Sequence, residues 1–397
     1  MKIIFKFIYK IIKIIFQFIF KIIKIIFFIK KEYIIIQCHH PKLYCDNSKY
    51  LYEYLVKNRL KNCYWNTSSK KISKYLKKNN FKYINFNENL FKFFFVALKA
   101  KIVIDSGVKF FDPLQIISND SKIIKISLYH GFGPKSVPYS KKNHPKKKIE
   151  RQNHQSFNYI NLTSSFMINN FIKNFGLKKT SCLNFGFPRV EYLKNNNKDK
   201  TFEYLTSITS KNSKIILYTP TWRPYNFNFP LSYMKGMNYS KFNNYLEDND
   251  LYFFFSCHSI QNYNNLPKNY SRIIFIDHFK YPFYDPSSFM KNVTILINDY
   301  SASSTDFAIL KKPQIFYMPD YKKYNDLKGF LEDYKKNLIG FEVKDYESLI
   351  FYIDKCIKNK KFYLKKFNKK ISNYQKKYYE NPNIESCKLL KDFIENL

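Results

Sequence analysis

The sequence predicts an α/β fold of two doubly wound halves facing a cleft, preceded by a surface-lying helix, and three observations carry that expectation. Short, almost wholly apolar runs alternate with helical patterns from residue 33 onward; the polar stretch NNNKDK at 195–200 divides them into two sets; and residues 1–31 repeat Lys at a helical period. Continuous apolar runs belong to parallel strands covered on both faces, whereas a half-exposed sheet alternates polar with apolar. A chain of 397 residues suits two domains of ordinary size, here Rossmann-like.

In residues 1–31 the polar positions before the closing Lys30-Lys31 pair are Lys2, Lys6, Lys10, Lys13, Gln17, Lys21 and Lys24. At about 100° per residue they share one arc of the helix and leave the rest apolar. No apolar run exceeds five residues, too short for a span of about 20 or for the unbroken core of a signal peptide. The segment is therefore expected to lie in a membrane interface, Ile and Phe in the acyl boundary and Lys toward anionic headgroups. Residues 32–200 form the first expected domain, with strands at Tyr33–Cys38, Lys101–Asp105, Ile123–Tyr129 and Tyr159–Leu162 and helices around Ser48–Lys57, Asn89–Leu98 and Ser165–Phe175. Residues 201–397 form the second, with strands at Lys214–Tyr218, Leu251–Ser256, Arg272–Ile276, Val293–Ile297 and Gln314–Tyr317, then Lys-rich helical sequence from Tyr346 to the end. In such sheets ligands bind beyond the carboxyl ends of the strands.

The 68 Lys and Arg against 30 Asp and Glu give a net charge of +38, which by itself suggests nucleic acid or an anionic membrane. Only five of the cations are Arg, however, and the chain is rich throughout in Lys, Asn, Ile, Phe and Tyr, residues with AT-rich codons. A phosphate-gripping surface would keep more of the planar, bidentate Arg, so compositional drift accounts for most of the charge and nucleic acid is not the expected partner. The seven Cys are scattered without a CxxC pair, an odd number whose spacing argues against a disulfide framework and against a zinc site, and points to a reducing cytoplasm.

Against this background the rare residues stand out. In Leu128-Tyr129-His130-Gly131-Phe132-Gly133-Pro134-Lys135 a β run ends on a His, and Gly131 and Gly133 let the backbone turn so that the imidazole sits where a general base belongs. A turn histidine bonded to nearby backbone would look the same locally. Around Asn298-Asp299-Tyr300-Ser301-Ala302-Ser303-Ser304-Thr305-Asp306 a buried strand gives way to a polar turn and a helix, whose start favours phosphate or is simply capped by Ser or Asp. Thr221 and Arg223 end one buried run and His258 follows another, all on the same side of the second sheet, where phosphate clamping is their natural joint role.

Taken in order, HGFGPK (130–135), GFPRVEYL (186–193), LYTPTWR (217–223), His258 after its strand and NDYSASSTDFAILKKPQIFYMPD (298–320) resemble the CDP-glycerol glycerophosphotransferase family of teichoic-acid and capsule synthesis. DNSKYLYEYL (46–55) and residues 330–340 are similar to its early and late parts, so the resemblance covers roughly residues 33–345. It implies a GT-B fold with an amino-terminal acceptor domain and a carboxy-terminal nucleotide domain. It further implies transfer of a polyol phosphate from a CDP-linked donor to a hydroxyl of a lipid-linked or polymeric acceptor, at the inner membrane face. His130 resembles the catalytic base and His258 a second catalytic residue that also meets the donor; Lys135, Arg223, Asp299, Ser301, Ser303 and Ser304 resemble the residues binding donor phosphate or polyol, supported by Gly131, Gly133, Thr221 and Asp306. Here Pro134 is shifted by one relative to the family's His-Gly-Thr-Pro-x-Lys, Ser259 replaces a Pro, and Ala302 replaces the second of a pair of Ser, which leaves glycerol, ribitol or another polyol open as the donor's cargo.

The expected reaction is attack of an acceptor hydroxyl, deprotonated by neutral His130, on the β-phosphorus of the donor with release of CMP, so activity rises with pH as the imidazole loses its proton. No Asp/Glu cluster with metal spacing occurs, and neither metal nor organic cofactor is expected. Two other readings stand beside this one: a GT-B glycosyltransferase using a nucleotide sugar, and a non-catalytic basic protein binding nucleic acid or anionic lipid.

Overall fold

The computed structural model describes residues 30–60, 62–108, 114, 120–131, 133, 147–194, 199–210, 213–221, 223, 231, 234–256, 270–278 and 280–397. Nearly all of the expected surface helix lies outside these residues, as do Lys135 and His258. Among the described residues no helix is long and apolar enough to cross a membrane.

The first half contributes β1 (Tyr33–Gln37), β2 (Cys63–Asn66), β3 (Tyr83–Ile84), β4 (Ala100–Asp105), β5 (Ile124–Ser127), β6 (Tyr159–Asn161) and β7 (Cys182–Leu183). They form a parallel sheet in the order β3-β2-β1-β4-β5-β6-β7. The second contributes β8 (Lys214–Thr219), β9 (Leu251–Ser256), β10 (Ile273–Ile276), β11 (Ile295–Asn298), β12 (Gln314–Tyr317) and β13 (Phe341–Val343), in the order β10-β9-β8-β11-β12-β13. Each sheet starts in its middle and is wound outward in both directions, so each has a switch point, β1/β4 in one and β8/β11 in the other, where the connections diverge and leave a crevice.

Strand composition explains the double covering. In β1, Ile34 and Ile36 join one apolar cluster while Ile35 joins another on the opposite face. In β8, Ile215 and Leu217 face one way and Ile216 and Tyr218 the other. The helices around these sheets include α1 (Asp46–Lys57), α2 (Lys147–Gln155), α3 (Ser165–Phe175), α4 (Pro188–Leu193), α5 (Ser303–Ala308), α6 (Lys360–Tyr379) and α7 (Ser386–Glu395). The bounds of α3 are set by its ends: the Ser164 side chain accepts from the Met167 N–H, and Gly176 closes the helix at φ 63°.

Two connections tie the halves together. Residues of α6, among them Tyr363, Ile371 and Tyr378, belong to one apolar cluster that also holds Val103 of the first sheet and Phe253 of the second. The last helix, α7, returns to the first sheet, where Leu390 and Ile394 pack with Leu51, Leu55 and Ile126.

Candidate active site

At the β8/β11 switch point Thr219 and Asn298 lie in register. The Thr219 hydroxyl donates to Asn298 Oδ1 at 3.1 Å, and Asn298 Nδ2 donates onward to the Ser301 carbonyl at 3.2 Å, so the strand ends shape the turn after β11. Asp299 is fully buried and accepts from the Thr221 N–H, from the Thr221 hydroxyl at 2.7 Å and from Arg223 Nη1. Arg223, 1% exposed, also donates from Nε and Nη2 to Asp320 at 2.7 and 2.9 Å and from Nη1 to the Thr221 carbonyl at 2.6 Å, over the faces of Tyr300 and Tyr324. Burial alone would ease its proton off; Asp299 and Asp320 outweigh that and hold the guanidinium charged.

The motif suggests that Arg223 and Asp299 are presented to phosphate, but their polar atoms are turned inward onto each other, and what they do in the structure is fix the loop. Ser304 is likewise buried, its hydroxyl donating to Gln314 Oε1 at 2.7 Å. Ser301 and Ser303 keep half-buried hydroxyls 3.1 Å apart at the start of α5. That helix has only six residues, so its dipole is small and the side chains matter more.

From the first sheet comes the loop carrying His130. Strand β5 ends at Ser127, three residues before the His, because Tyr129 takes the left-handed φ of 53°. Asn47, at the start of α1, secures this unusual backbone by donating Nδ2 to the carbonyls of Leu128 and Tyr129 at 3.2 and 2.6 Å. Gly131 comes next but one at φ 144°, and an added Cβ there would stand 3.3 Å from the Ala302 Cβ. At Gly133 it would stand 3.1 Å from the Ala302 Cα. The two glycines thus let the first domain's loop close directly on the backbone of the second domain's turn, between Ser301 and Ser303. His130 is exposed beside this contact, its ring 5.5 Å from Tyr129 and 5.6 Å from His39.

Arg189, at the start of α4, reinforces the junction. Its Nε and Nη2 donate to Asp306 of α5 at 2.9 and 3.3 Å, its Nη1 donates to Asp46 at 2.9 Å, and its backbone N–H donates to Asn47 Oδ1 at 3.1 Å. Burial would raise the Asp46 carboxyl, yet Arg189 and His39 beside it hold it at about 2. The motif points Asp306 toward the donor; the structure engages it with Arg189 and with the Tyr379 hydroxyl of α6.

Sequence reasoning missed Arg189, Asp46, Asn47, Asp320 and His39 as site architecture. Arg189 carried a signal, being one of five Arg and lying in the GFPRVEYL motif. Asp46 and Asn47 open the DNSKYLYEYL stretch, but each also looks like an ordinary helix-start residue. At the carboxyl end of β1 lie Cys38 and His39, and Gln37 pairs in register with Asp105 of β4, to which its side chain donates. Burial pushes the Asp105 carboxyl up to about 8 despite bonds from Gln37 and the Gly107 N–H.

The model of the CDP-glycerol:poly(glycerophosphate) glycerophosphotransferase family matches residues 19–383, a range that takes in both sheets and the junction between them. The chain belongs to that family. This glycerophosphotransferase is 27% identical over 315 residues to the teichoic acid glycerol-phosphate primase of Bacillus subtilis (strain 168), covering 78% of this chain and 77% of the relative. It is 26% identical over 350 residues to the teichoic acid glycerol-phosphate transferase of Staphylococcus aureus (strain NCTC 8325 / PS 47), covering 81% and 82%. Among solved structures, the wall teichoic acid polymerase TagF, in a His-to-Asn variant soaked with CDPG, superposes with a TM-score of 0.74 at 22% identity over 93% of this chain and 89% of TagF. The two-sheet architecture of the glycerophosphotransferase is accordingly the GT-B-like fold, and the chain is an enzyme that transfers polyol phosphate from a CDP-linked donor.

Proposed function

We propose that this glycerophosphotransferase moves glycerol phosphate or ribitol phosphate from its CDP carrier to a hydroxyl of a lipid-linked or polymeric acceptor of the cell envelope, with His130 as the base. The observation that carries this reading is the close approach of Gly131 and Gly133 to Ala302, which brings the loop bearing an exposed imidazole from one sheet against the turn bearing the Ser301 and Ser303 hydroxyls at the switch point of the other. In this reading residues 32–200 take the acceptor and residues 201–397 the donor.

The acceptor oxygen attacks the β-phosphorus as His130 takes its proton, the bond between the β-phosphorus and the bridging oxygen breaks, and CMP leaves. Ser301 and Ser303 donate to phosphate or polyol oxygens, with Lys135 and His258 as the further donor contacts that the family motif supplies. Arg223, Asp299 and Thr221 hold the turn, and Ser304 and Asp306 anchor α5. Negative charge moves during transfer without net creation, which suits a site built from fixed hydroxyls and cations. Residues 1–31 hold the enzyme on the anionic inner face of the membrane, and deleting them is expected to release it to the soluble fraction. Continued sedimentation with membranes would overturn that part.

The decisive assay incubates purified enzyme with CDP-glycerol or CDP-ribitol and a lipid-linked acceptor and follows CMP. Wild type should release CMP from one of the two, and His130→Ala should lose at least a hundredfold, in keeping with the usual contribution of a positioned base. No CMP from either donor, or a His130→Ala enzyme as fast as wild type, refutes the proposal.

A further inference from the structure

The stretch Cys38-His39-His40-Pro41-Lys42-Leu43-Tyr44-Cys45 leaves β1, turns, and enters α1. Along the chain its spacing has no metal-site pattern. In space the stretch turns back on itself through the Leu43 N–H, which donates to the His40 carbonyl at 3.1 Å, and Asp46, which follows at a left-handed φ of 66°, is clamped through its N–H to Asp285 and its carboxylate to Arg189. Cys38 Sγ therefore lies 3.5 Å from Cys45 Sγ and 3.3 Å from His39 Nδ1, and the three donor atoms all fall within 4.8 Å of one another. Both thiols are free and buried, 0% and 3% exposed, while the His39 side chain is 38% exposed and gives solvent a way in.

These separations can be compared with a tetrahedron. Zinc–sulfur bonds of about 2.3 Å and zinc–nitrogen bonds of about 2.0 Å place two sulfurs about 3.8 Å apart and a sulfur and a nitrogen about 3.5 Å apart. The Cys38–Cys45 and Cys38–His39 edges are shorter than these by only a few tenths of an ångström and the third, between Cys45 Sγ and His39 Nδ1, is no longer than 4.8 Å, so an ion could enter with a small adjustment of the thiols and the imidazole. Two soft thiolates and one imidazole select zinc-class, thiophilic ions over magnesium or calcium, which prefer all-oxygen shells.

We propose that Cys38, Cys45 and His39 Nδ1 form a binding site for one thiophilic divalent cation of the zinc class, the fourth position being open to water. The site lies at the β1/β4 switch point, one imidazole removed from His130, and is separate from the residues assigned to transfer. In the metal-free protein Asp46 Oδ2 lies 3.4 Å from the same His39 Nδ1, a contact the ion would replace.

The test uses full-length protein stripped of metal and kept reduced, titrated with Co²⁺ as a spectroscopic probe. One equivalent is expected to bind with the visible absorption of tetrahedral cobalt and a near-ultraviolet thiolate charge-transfer band, and Zn²⁺ should displace it. Cys38→Ser and Cys45→Ser should each weaken binding at least tenfold and reduce the charge-transfer band, whereas Cys63→Ser and Cys387→Ser should leave both unchanged. His39→Asn, which alters a half-exposed ring and no buried thiol, supplies a variant less prone to misfold, and should also weaken binding tenfold. Zn²⁺ should raise the melting temperature of wild type and of none of the three ligand variants. Binding below one equivalent, cobalt without the charge-transfer band, or binding as tight as wild type by Cys38→Ser and His39→Asn would overturn the site, as would a Cys38–Cys45 disulfide that persists in reductant.

Discussion

Arg189 and Asp306 face each other across the junction of the two sheets, joined by two hydrogen bonds of 2.9 and 3.3 Å, with both side chains less than a tenth exposed. Arg189 belongs to the motif that ends the first domain and Asp306 to the helix that leads away from the second domain's switch-point turn. Removing one member leaves the other charged and buried, which costs about 3–5 kcal/mol, while replacing both by apolar side chains of similar volume costs far less. Arg189→Met is therefore expected to lower the urea midpoint more than Arg189→Met combined with Asp306→Leu. Asp46 keeps its own need for Arg189, so the double variant stays below wild type. Equal loss in single and double variants would mean that the pair is not coupled.

Glycine spacing at the same junction is testable too. Gly133 needs no left-handed φ; what it needs is space, since a Cβ there would meet the Cα and backbone N of Ala302 at 3.1 and 3.4 Å. A methyl group must push the two domains' loops apart. Gly133→Ala should reduce kcat/KM at least tenfold, about 1.4 kcal/mol of transition-state stabilisation, with only a small change in melting temperature. Ala302→Gly should fail to restore it, because the obstruction is backbone. Full rescue would show that the Ala302 side chain sets the spacing.

How far the fold and the site are legible in the sequence depends on strand length and on what holds the loops. The strands at Leu251–Ser256 and Gln314–Tyr317 can be placed to the residue because continuous apolar sequence bounded by polar turns has no other buried solution. Strands β3 and β7 have two residues each and β13 three, too few to show any period, and β2 carries Asn66 and a half-buried Tyr64. Those edges exist because the neighbouring strand offers them hydrogen bonds. At the site, the motif marks the turn at 298–306 as special, but it cannot tell a residue that touches ligand from one that holds the loop. Arg223 looks like a phosphate ligand until Asp320, 97 positions away, is placed beside it. Cys38 and Cys45 meet for the same kind of reason: a turn closed by the Leu43 N–H on the His40 carbonyl, invisible in composition, brings the chain back.

Arg223 provides a test of that distinction. A Lys has the charge but neither the fork that engages both Asp320 oxygens nor the planar face that lies over Tyr300. If Arg223 holds the turn, Arg223→Lys should destabilise the protein by about 2 kcal/mol, within the range for a damaged buried hydrogen-bonded pair, and thermal unfolding will read this directly. A variant as stable as wild type that loses only affinity for the CDP-linked donor would return Arg223 to the phosphates.

His154 in α2 makes stability depend on pH. The ring is 2% exposed, stacked 3.5 Å from Phe175, with Nδ1 donating to the Glu150 carbonyl at 2.7 Å and Nε2 without a partner. Burial outweighs the help from that carbonyl and lowers its pKa to about 4. An unfolded chain titrates its His near 6.5, so between about 6.5 and 4 the unfolded state binds the extra proton and the native state does not. The contribution of neutral His154 is thus complete above about 6.5 and is lost as pH falls toward 4, amounting at most to about 3 kcal/mol. His154→Phe keeps the stack on Phe175 and removes the buried nitrogen that lacks a partner. Urea midpoints measured at pH 7 and pH 5 should therefore fall less in His154→Phe than in wild type. Parallel losses in the two proteins would show that His154 takes up a proton in the folded state as readily as in the unfolded one.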